Sequence, residues 1–380
     1  MSRIYENGYR IVYPNELAYA GMPAIVRVSN LDASYLGVGL TIQVGEAYYT
    51  ETRTPYNGEV VFDISRYMQL AFVGKSLGVK YGDNRYTQAV SSPTQAEVGV
   101  VVMLTDTAGT STNALSFDLN ALFGYINIGR ANGGGVRGRR WFVNFPQTFD
   151  FYGEGYNMNI YIEGASGEYH QVDIDTEEAD AMRQISVEVS PHWNEVFRDS
   201  EEKEATLHAD GAAYINGDEF VNDDSTTYRL AIDRCTKGVY LRWLDNFGQW
   251  CYYLFRVTGR NYTTKETQSW QDGILRNELK DEGGVFLASG QTHQQMAQQE
   301  SISLGAKLVD AETFDFLLTL ANSPMVEVLV NASEYLEAAG TTPYWERVSV
   351  VAGSYARTGA PLQDFVVSIA RAAHKSQAVW

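Results

Sequence analysis

Apolar and polar residues alternate with a period of two along much of this chain, most clearly over 226–258, TTYRLAIDRCTKGVYLRWLDNFGQWCYYLFRVT. The pattern predicts three successive strands, Tyr228–Ile232, Val239–Leu244 and Trp250–Val257. Asp245-Asn246-Phe247-Gly248 supplies the turn between the last two, since Asn and Gly tolerate the positive φ of tight hairpins. Both faces of the hairpin are apolar. Val239, Leu241 and Trp243 lie on one face; Tyr240 and Leu244 lie on the other with Arg242 between them. A hairpin of this kind needs cover on both sides, which places it at the centre of a sandwich and makes its aromatic residues core.

The alternation continues on either side. Residues 24–29, 38–44, 47–52, 59–65 and 97–104 read as strands, with a turn at Asn57-Gly58 and a short helical turn over 65–72 capped by Ser65. Residues 74–95 read as a long excursion. A second set of strands covers WFVNF (141–145), NMNIYIEG (157–164), YHQVDI (169–174), ISVEVS (185–190) and EATLHADG (204–211). The C-terminal block changes character. WQDGILRNEL (270–279) fits a short helix or an extended loop, and 300–308 fits a strand. A helix follows over about 310–322, with Asp310 as cap, Glu312 in the first turn and Phe314, Leu317, Leu318 and Ala321 on one face. Asn322-Ser323-Pro324 ends it. Strands over 325–333, in WERVSVV and in LQDFVVSIARA complete the block. The pattern thus predicts a mainly β chain of multidomain antiparallel β-sandwiches with a C-terminal sheet flanked by one α-helix. The expected domains are a β-sandwich at 1–130, a second at 141–258 and a β domain with its helix at 259–380.

Composition narrows the functional classes. The chain has 380 residues and a formal charge of −18, which argues against a nucleic-acid partner or an anionic membrane surface and favours solubility. No run of about 18 apolar residues is present, so no membrane span is expected, and no apolar leader opens the chain. The two cysteines, Cys235 and Cys251, fall on strands too far apart to bridge, so both are expected as reduced, buried thiols. Against the acidic background one basic stretch stands out, GRANGGGVRGRR (129–140). Gly133 and Gly138 have phosphate-loop spacing, but Arg139-Arg140 replace the Lys-Ser that such a loop requires, and no helix follows. The stretch reads as a surface loop, and Arg137, Arg139 and Arg140 are candidate assembly contacts with an acidic neighbour.

The chemistry-bearing residues form no recognisable set. The five histidines are scattered, none at zinc spacing. DIDTEEAD (173–180) departs from a calcium loop at Glu178, where the loop needs Gly, and at Gln184, where it needs Glu. No catalytic residue, metal ligand or cofactor site is assigned, and the chain is read as a non-enzyme without cofactors.

Four segments, GEVVFDISRYMQLAF (58–72), FPQTFDFY (145–152), CTKGVYLRWLDNFGQWCYYLF (235–255) and YWERVSVVAGSY…LQDFVVSIA (344–370), resemble uncharacterised tail-region proteins of phages and prophages from gut anaerobes. The resemblance implies a structural tail or baseplate component that acts by subunit assembly. Its partners would be itself and other tail proteins, and its location the virion tail after folding in the host cytoplasm. The alternative is a non-catalytic β-sandwich protein that binds a host-surface glycan through its aromatic residues.

Overall fold

The computed structural model describes residues 2–73, 75, 77, 88–125, 135–154, 158–167, 169–175, 182–189, 201–212, 214–216, 219–221, 226–271, 292–331, 344–371 and 374–377. It is a mainly β protein with several antiparallel sheets and a short helix near the C-terminus. The chain forms two units. The first comprises Met1–Thr236 and Trp243–Tyr253; the second comprises Lys237–Arg242, Leu254–Glu334 and Ala339–Trp380.

The first unit opens with strands Ser2–Glu6 (β1), Arg10–Pro14 (β2), Leu17–Tyr19 (β3), Ile25–Ser29 (β4), Tyr35–Val44 (β5), Ala47–Arg53 (β6) and Val60–Asp63 (β7). Gln88–Ser91 (β8), Gln95–Asp106 (β9) and Ser111–Leu122 (β10) follow. One sheet has the order β1-β2-β4-β7 and the other β3-β10-β9-β5-β6. They pack together through pairs such as Tyr13 and Phe117, whose rings lie 4.6 Å apart. Asn57 and Gly58, at φ 51° and 71°, make the expected tight turn before β7. Helix α1, Ser65–Leu70, also forms where expected, but Ser65 is not its cap. Asp63 accepts the Ser65 N–H instead, at 3.0 Å. The excursion after residue 73 is more than a loop: β8 leaves the first sandwich and pairs with a strand of the second.

That second sandwich contains Gly135–Phe142 (β11), Gln147–Glu154 (β12), Asn159–Gly164 (β13), Tyr169–Gln171 (β14), Asp173–Asp175 (β15) and Met182–Val189 (β16). Glu204–Asp210 (β17), the small pair Tyr214–Asn216 (β18) and Glu219–Val221 (β19), and Thr226–Asp233 (β20) complete it. Its sheets run β11-β20-β17-β13-β14 and β12-β16-β8-β15. Phe149, Phe151, Ile185 and Val187 from one sheet meet Ile160, Ile162, Leu207 and Leu230 from the other in a common core. The expected three-strand run over 226–258 is therefore divided. β20 pairs in parallel with β11 and antiparallel with β17, in a different sheet from the hairpin that follows it.

The hairpin strands are Val239–Leu244 (β21) and Trp250–Gln271 (β22). With Thr292–Val309 (β23), Val326–Val330 (β24), Tyr344–Val350 (β25) and Gln363–Ala370 (β26) they form a ring. Its order is β22-β21-β24-β25-β26-β23, closed by β22–β23 pairing, with His374–Gln377 (β27) added along β23. The hairpin is thus part of a closed wall rather than the centre of a sandwich, and closure pairs strand edges that an open sheet would expose. Helix α2, Ala311–Leu318, is capped by Asp310, whose carboxylate accepts the Thr313 N–H at 2.7 Å. Helical geometry places Phe314 and Leu317 on one buried face, and the Phe314 ring meets Phe365 of β26 edge-on at 5.4 Å. Residues 272–279 of the WQDGILRNEL segment lie outside the described residues.

Arg242, read from sequence as a polar interruption of an apolar face, is 4% exposed. Its guanidinium lies 2.6 Å from Glu327 Oε2 on the adjacent strand β24 and 4.2 Å from the centre of the Trp345 ring. Removing one partner from such a pair leaves a buried charge uncompensated. Glu327→Gln is therefore expected to cost about 3–5 kcal/mol, whereas a combined Arg242→Met, Glu327→Leu change costs much less. Urea unfolding distinguishes the two; an unchanged midpoint for Glu327→Gln contradicts the assignment.

The cysteines also depart from expectation. Both are free, but only Cys251 is buried. Cys235 is exposed because it falls in the connection between β20 and β21, outside either strand. Native alkylation should modify Cys235 alone, and a second adduct should appear on unfolding; equal native labelling of both contradicts this.

Candidate functional site

The three arginines singled out in the sequence lie on a strand. β11 begins at Gly135, and the preceding residues 126–134 lie outside the described residues. Strand alternation then separates the arginines. In parallel register with β20, Arg137 stands beside Tyr228 and Arg139 beside Leu230, both buried, whereas Arg140 stands beside exposed Ala231. Arg137 and Arg139 are half-buried and Arg140 is exposed. Arg137 donates to the Tyr228 hydroxyl at 3.4 Å and its guanidinium lies 5.7 Å from that ring's centre. Arg139 donates to the Gly138 carbonyl at 2.8 Å. Arg140 pairs with Asp233 at 3.4 Å. One basic island in the sequence becomes two inward cations and one outward cation.

The inward pair acts electrostatically on Asp245, a member of the most unusual feature of the first unit, a buried polar cluster. β12 and β16 both alternate, with Phe149, Phe151, Ile185 and Val187 on one side and Thr148, Asp150, Tyr152, Gln184 and Ser186 on the other. Such alternation ordinarily marks a solvated face. Here all five polar residues are buried, at 3% exposure or less. Covering them is the turn that joins β21 to β22, Asp245–Gln249. Asp245 organises that turn: its carboxylate accepts the N–H groups of Phe247 and Gln249, each at 2.9 Å, and its own N–H donates to the Gln249 carbonyl at 3.0 Å.

Each side of the turn has a partner. Trp250 N–H donates to Asp150 Oδ2 at 3.0 Å, Gln184 Nε2 to the Gly248 carbonyl at 3.2 Å and the Tyr152 hydroxyl to the Phe247 carbonyl at 3.3 Å. Ser186 Oγ donates to Asp150 Oδ1, and the hydroxyls of Thr148 and Tyr252 lie 2.7 Å apart. From the first sandwich, Tyr19 meets Tyr152 hydroxyl to hydroxyl at 3.1 Å, and Tyr125 N–H donates to the Asn246 carbonyl at 2.7 Å. Backbone approaches backbone so closely that Gly248, at φ 72°, has no room for a side chain; a Cβ there would lie 1.8 Å from the Phe123 carbonyl oxygen.

Burial determines the electrostatics of this cluster. It pushes the Asp150 carboxyl up to about 7, against the lowering effect of its Ser186 and Trp250 hydrogen bonds. It pushes Asp245 up to about 6, with the Gln249 and Phe247 N–H groups and then Arg139 and Arg137 pulling the other way. The thiol of Cys251 and the hydroxyls of Tyr19, Tyr152 and Tyr228 are raised by burial as well. Chemically the arrangement binds its own chain: the two carboxylates are occupied by hydrogen bonds from the turn and from β16. Sequence reasoning missed Asp150 and Asp245 because nothing in FDFY or LDNF states that their polar side would be covered.

On the outer face of the second sandwich, Tyr161 stacks on His208 at 4.8 Å, and Glu163 Oε2 lies 3.8 Å from His208 Nε2. Thr227 Oγ1 lies 3.2 Å from the other ring nitrogen. Among the described residues no group of three or more His, Cys, Asp or Glu is placed to hold a metal ion. No helix among them is long and apolar enough to cross a membrane.

No family model matches the chain, and no curated protein matches it. Among solved structures, the one described as "Structural insight into host cell surface retention of a 1.5-MDa bacterial ice-binding adhesin" aligns over 93% of this chain and 92% of its own. The identity is 11% and the TM-score 0.17, a likeness too slight to carry an argument about fold or function.

The placement of the arginines changes what their replacement does. Arg137→Ser with Arg139→Ser removes cations that offset Asp245 and is expected to cost about 1–3 kcal/mol. Arg140→Ser disrupts a surface pair and should cost less than about 1 kcal/mol. Equal unfolding midpoints for the two variants contradict the inward placement.

Proposed function

We propose that the chain is a structural component of a phage or prophage tail or baseplate, acting by assembly with copies of itself or with other tail proteins. The observation that carries this reading is the ribbon formed by β22 and β23. β21 has six residues and β22 has twenty-two, so most of the β22 edge facing away from β23 has no strand partner among the described residues. The ribbon pairs from Arg256↔Gly305 to Gln271↔Thr292. Eight of the nine residues 256–264 are exposed, Gly259 alone being half-buried. A long unpaired edge is a template for a further strand. That property suits a protein whose working state is an assembly. The resemblance of the four segments quoted above to tail-region proteins supplies the context.

Mass spectrometry of purified virions tests the proposal. The chain is expected in intact particles at several copies each, co-purifying with tails after capsids are removed. Its absence from particles, or its presence only in the lysate, rejects the structural reading.

A further inference from the structure

We infer that β22 is the seam of a two-fold dimer, in which Arg260–Glu266 of one copy adds antiparallel to the same residues of a second copy, centred on Thr263. The inference rests on the reading of β22 as an assembly edge and names the strand that pairs with it; it does not depend on a virion location.

The backbone fixes which residues can pair. In an antiparallel ladder the N–H and C=O of one residue point to the same side, and the side changes at each residue. The Glu300 carbonyl of β23 accepts the Arg371 N–H at 3.1 Å from the side of β26. Glu300 is thus turned away from β22, and Tyr262, which stands opposite it, is turned toward the outer edge. Ser303 gives the same parity, because its carbonyl faces β22 and accepts Thr258 Oγ1 at 3.0 Å. The register runs unbroken from Arg260↔Ile302 to Glu266↔Met296, between shifts at Val257/Gly259 and Glu266/Gln268. Within that regular stretch the main-chain groups of Arg260, Tyr262, Thr264 and Glu266 face outward, with no strand beside them among the described residues. Those of Asn261, Thr263 and Lys265 face β23.

Parity and charge then select a second β22 as the occupant. Outward residues must meet outward residues. Centring on Thr263 sets Arg260 opposite Glu266 and Tyr262 opposite Thr264, each repeated by the two-fold axis, and uses every outward residue of the regular stretch. Lys265 then meets Asn261. Glu266 is the sole acidic residue between the two register shifts, and Arg260 stands at the other end, so the segment complements its own charge when laid antiparallel. Moving the centre to Tyr262 or Thr264 sets Arg260 opposite Thr264 or Gln268 and loses that match. The edge has room for the strand. Tyr262 is 58% exposed. The Arg260 side chain is 53% exposed although it lies 3.0 Å from Glu300, a carboxylate that Arg371 also approaches at 3.9 Å. An isologous contact of this kind closes on itself and gives a dimer rather than a fibre.

Sedimentation equilibrium of the whole chain over a wide concentration range tests the seam. A monomer–dimer equilibrium is expected, and the Tyr262 and Thr264 amides should gain hydrogen-exchange protection as the dimer forms. Thr264→Pro removes an outward donor while leaving the β22–β23 ladder intact, and should weaken association by about tenfold or more. Arg260→Glu alone sets carboxylates against each other across the seam, and Glu266→Arg alone sets guanidinium groups against each other. Each should lose the dimer, and an equimolar mixture should recover it, because the mixed pair opposes carboxylate to guanidinium at both ends. If Thr264→Pro fails to fold, the mixture still decides. A wild type that stays monomeric, an undiminished Thr264→Pro dimer, or a mixture that associates no better than either single variant overturns the inference. A monomeric chain found in virions removes the seam and leaves the tail reading standing; a dimer of a chain absent from virions does the reverse.

Discussion

The first unit depends on covering the polar side of β12 and β16. Thr148, Asp150, Tyr152, Gln184 and Ser186 are removed from water, and each buried polar group left without a partner costs about 1–3 kcal/mol. The Asp245–Gln249 turn and residues of the first sandwich, chiefly Tyr19, provide the partners. The requirement is mutual, because the turn's own carbonyls at Asn246, Phe247 and Gly248 are satisfied by Tyr125, Tyr152 and Gln184. A small apolar set, Leu17, Tyr19, Leu122 and Tyr152 with Met22 and Phe247, packs beside these bonds and excludes water from them. Hydrogen bonds in such surroundings are stronger, and gaps among them more costly, than at the surface.

This constraint accounts for the chain path. β8 crosses from the first sandwich to complete the sheet of β12 and β16, and the nearby Gln95 side chain accepts the Gln184 N–H at 2.9 Å. Trp250, the residue after the turn, donates its indole N–H to the Leu77 carbonyl at 2.8 Å. Glycine at 248 is dictated by the approach to Phe123 as much as by turn geometry. In the second unit the comparable polar insertion is Arg242 with Glu327, a charged pair within a closed strand wall rather than a neutral network.

Local structure was legible in the sequence wherever a single strand, turn or cap decided it. β21, the start of β22, the Asp245–Gly248 turn and the Asp310 cap follow from period, turn chemistry and capping, whereas α1 forms where expected without the Ser65 cap assigned to it. What the pattern could not supply was the identity of the surface facing each strand. Alternation in QTFDFYGE and QISVEV marks two faces, but the code is the same whether the polar face meets water or a buried turn. Likewise three arginines within four residues look like one patch until the register with β20 turns two of them inward. Cys235 was misjudged for a similar reason: the strand before it stops at Asp233. The closing of the C-terminal strands into a ring depends on β22 meeting β23 over long sequence separation, which local periodicity does not encode.

The account rests on Asp245 shaping a turn that Tyr152 then holds, and a double-mutant cycle measures that dependence directly. Tyr152→Phe removes the hydroxyl that reaches the Phe247 carbonyl; Asp245→Ala removes the acceptor that fixes Phe247 in place. If the turn docks as a unit, the double variant should lose less stability than the sum of the two singles, with a coupling of roughly 0.5–3 kcal/mol. Strict additivity would contradict the docking on which the rest of the first unit is built.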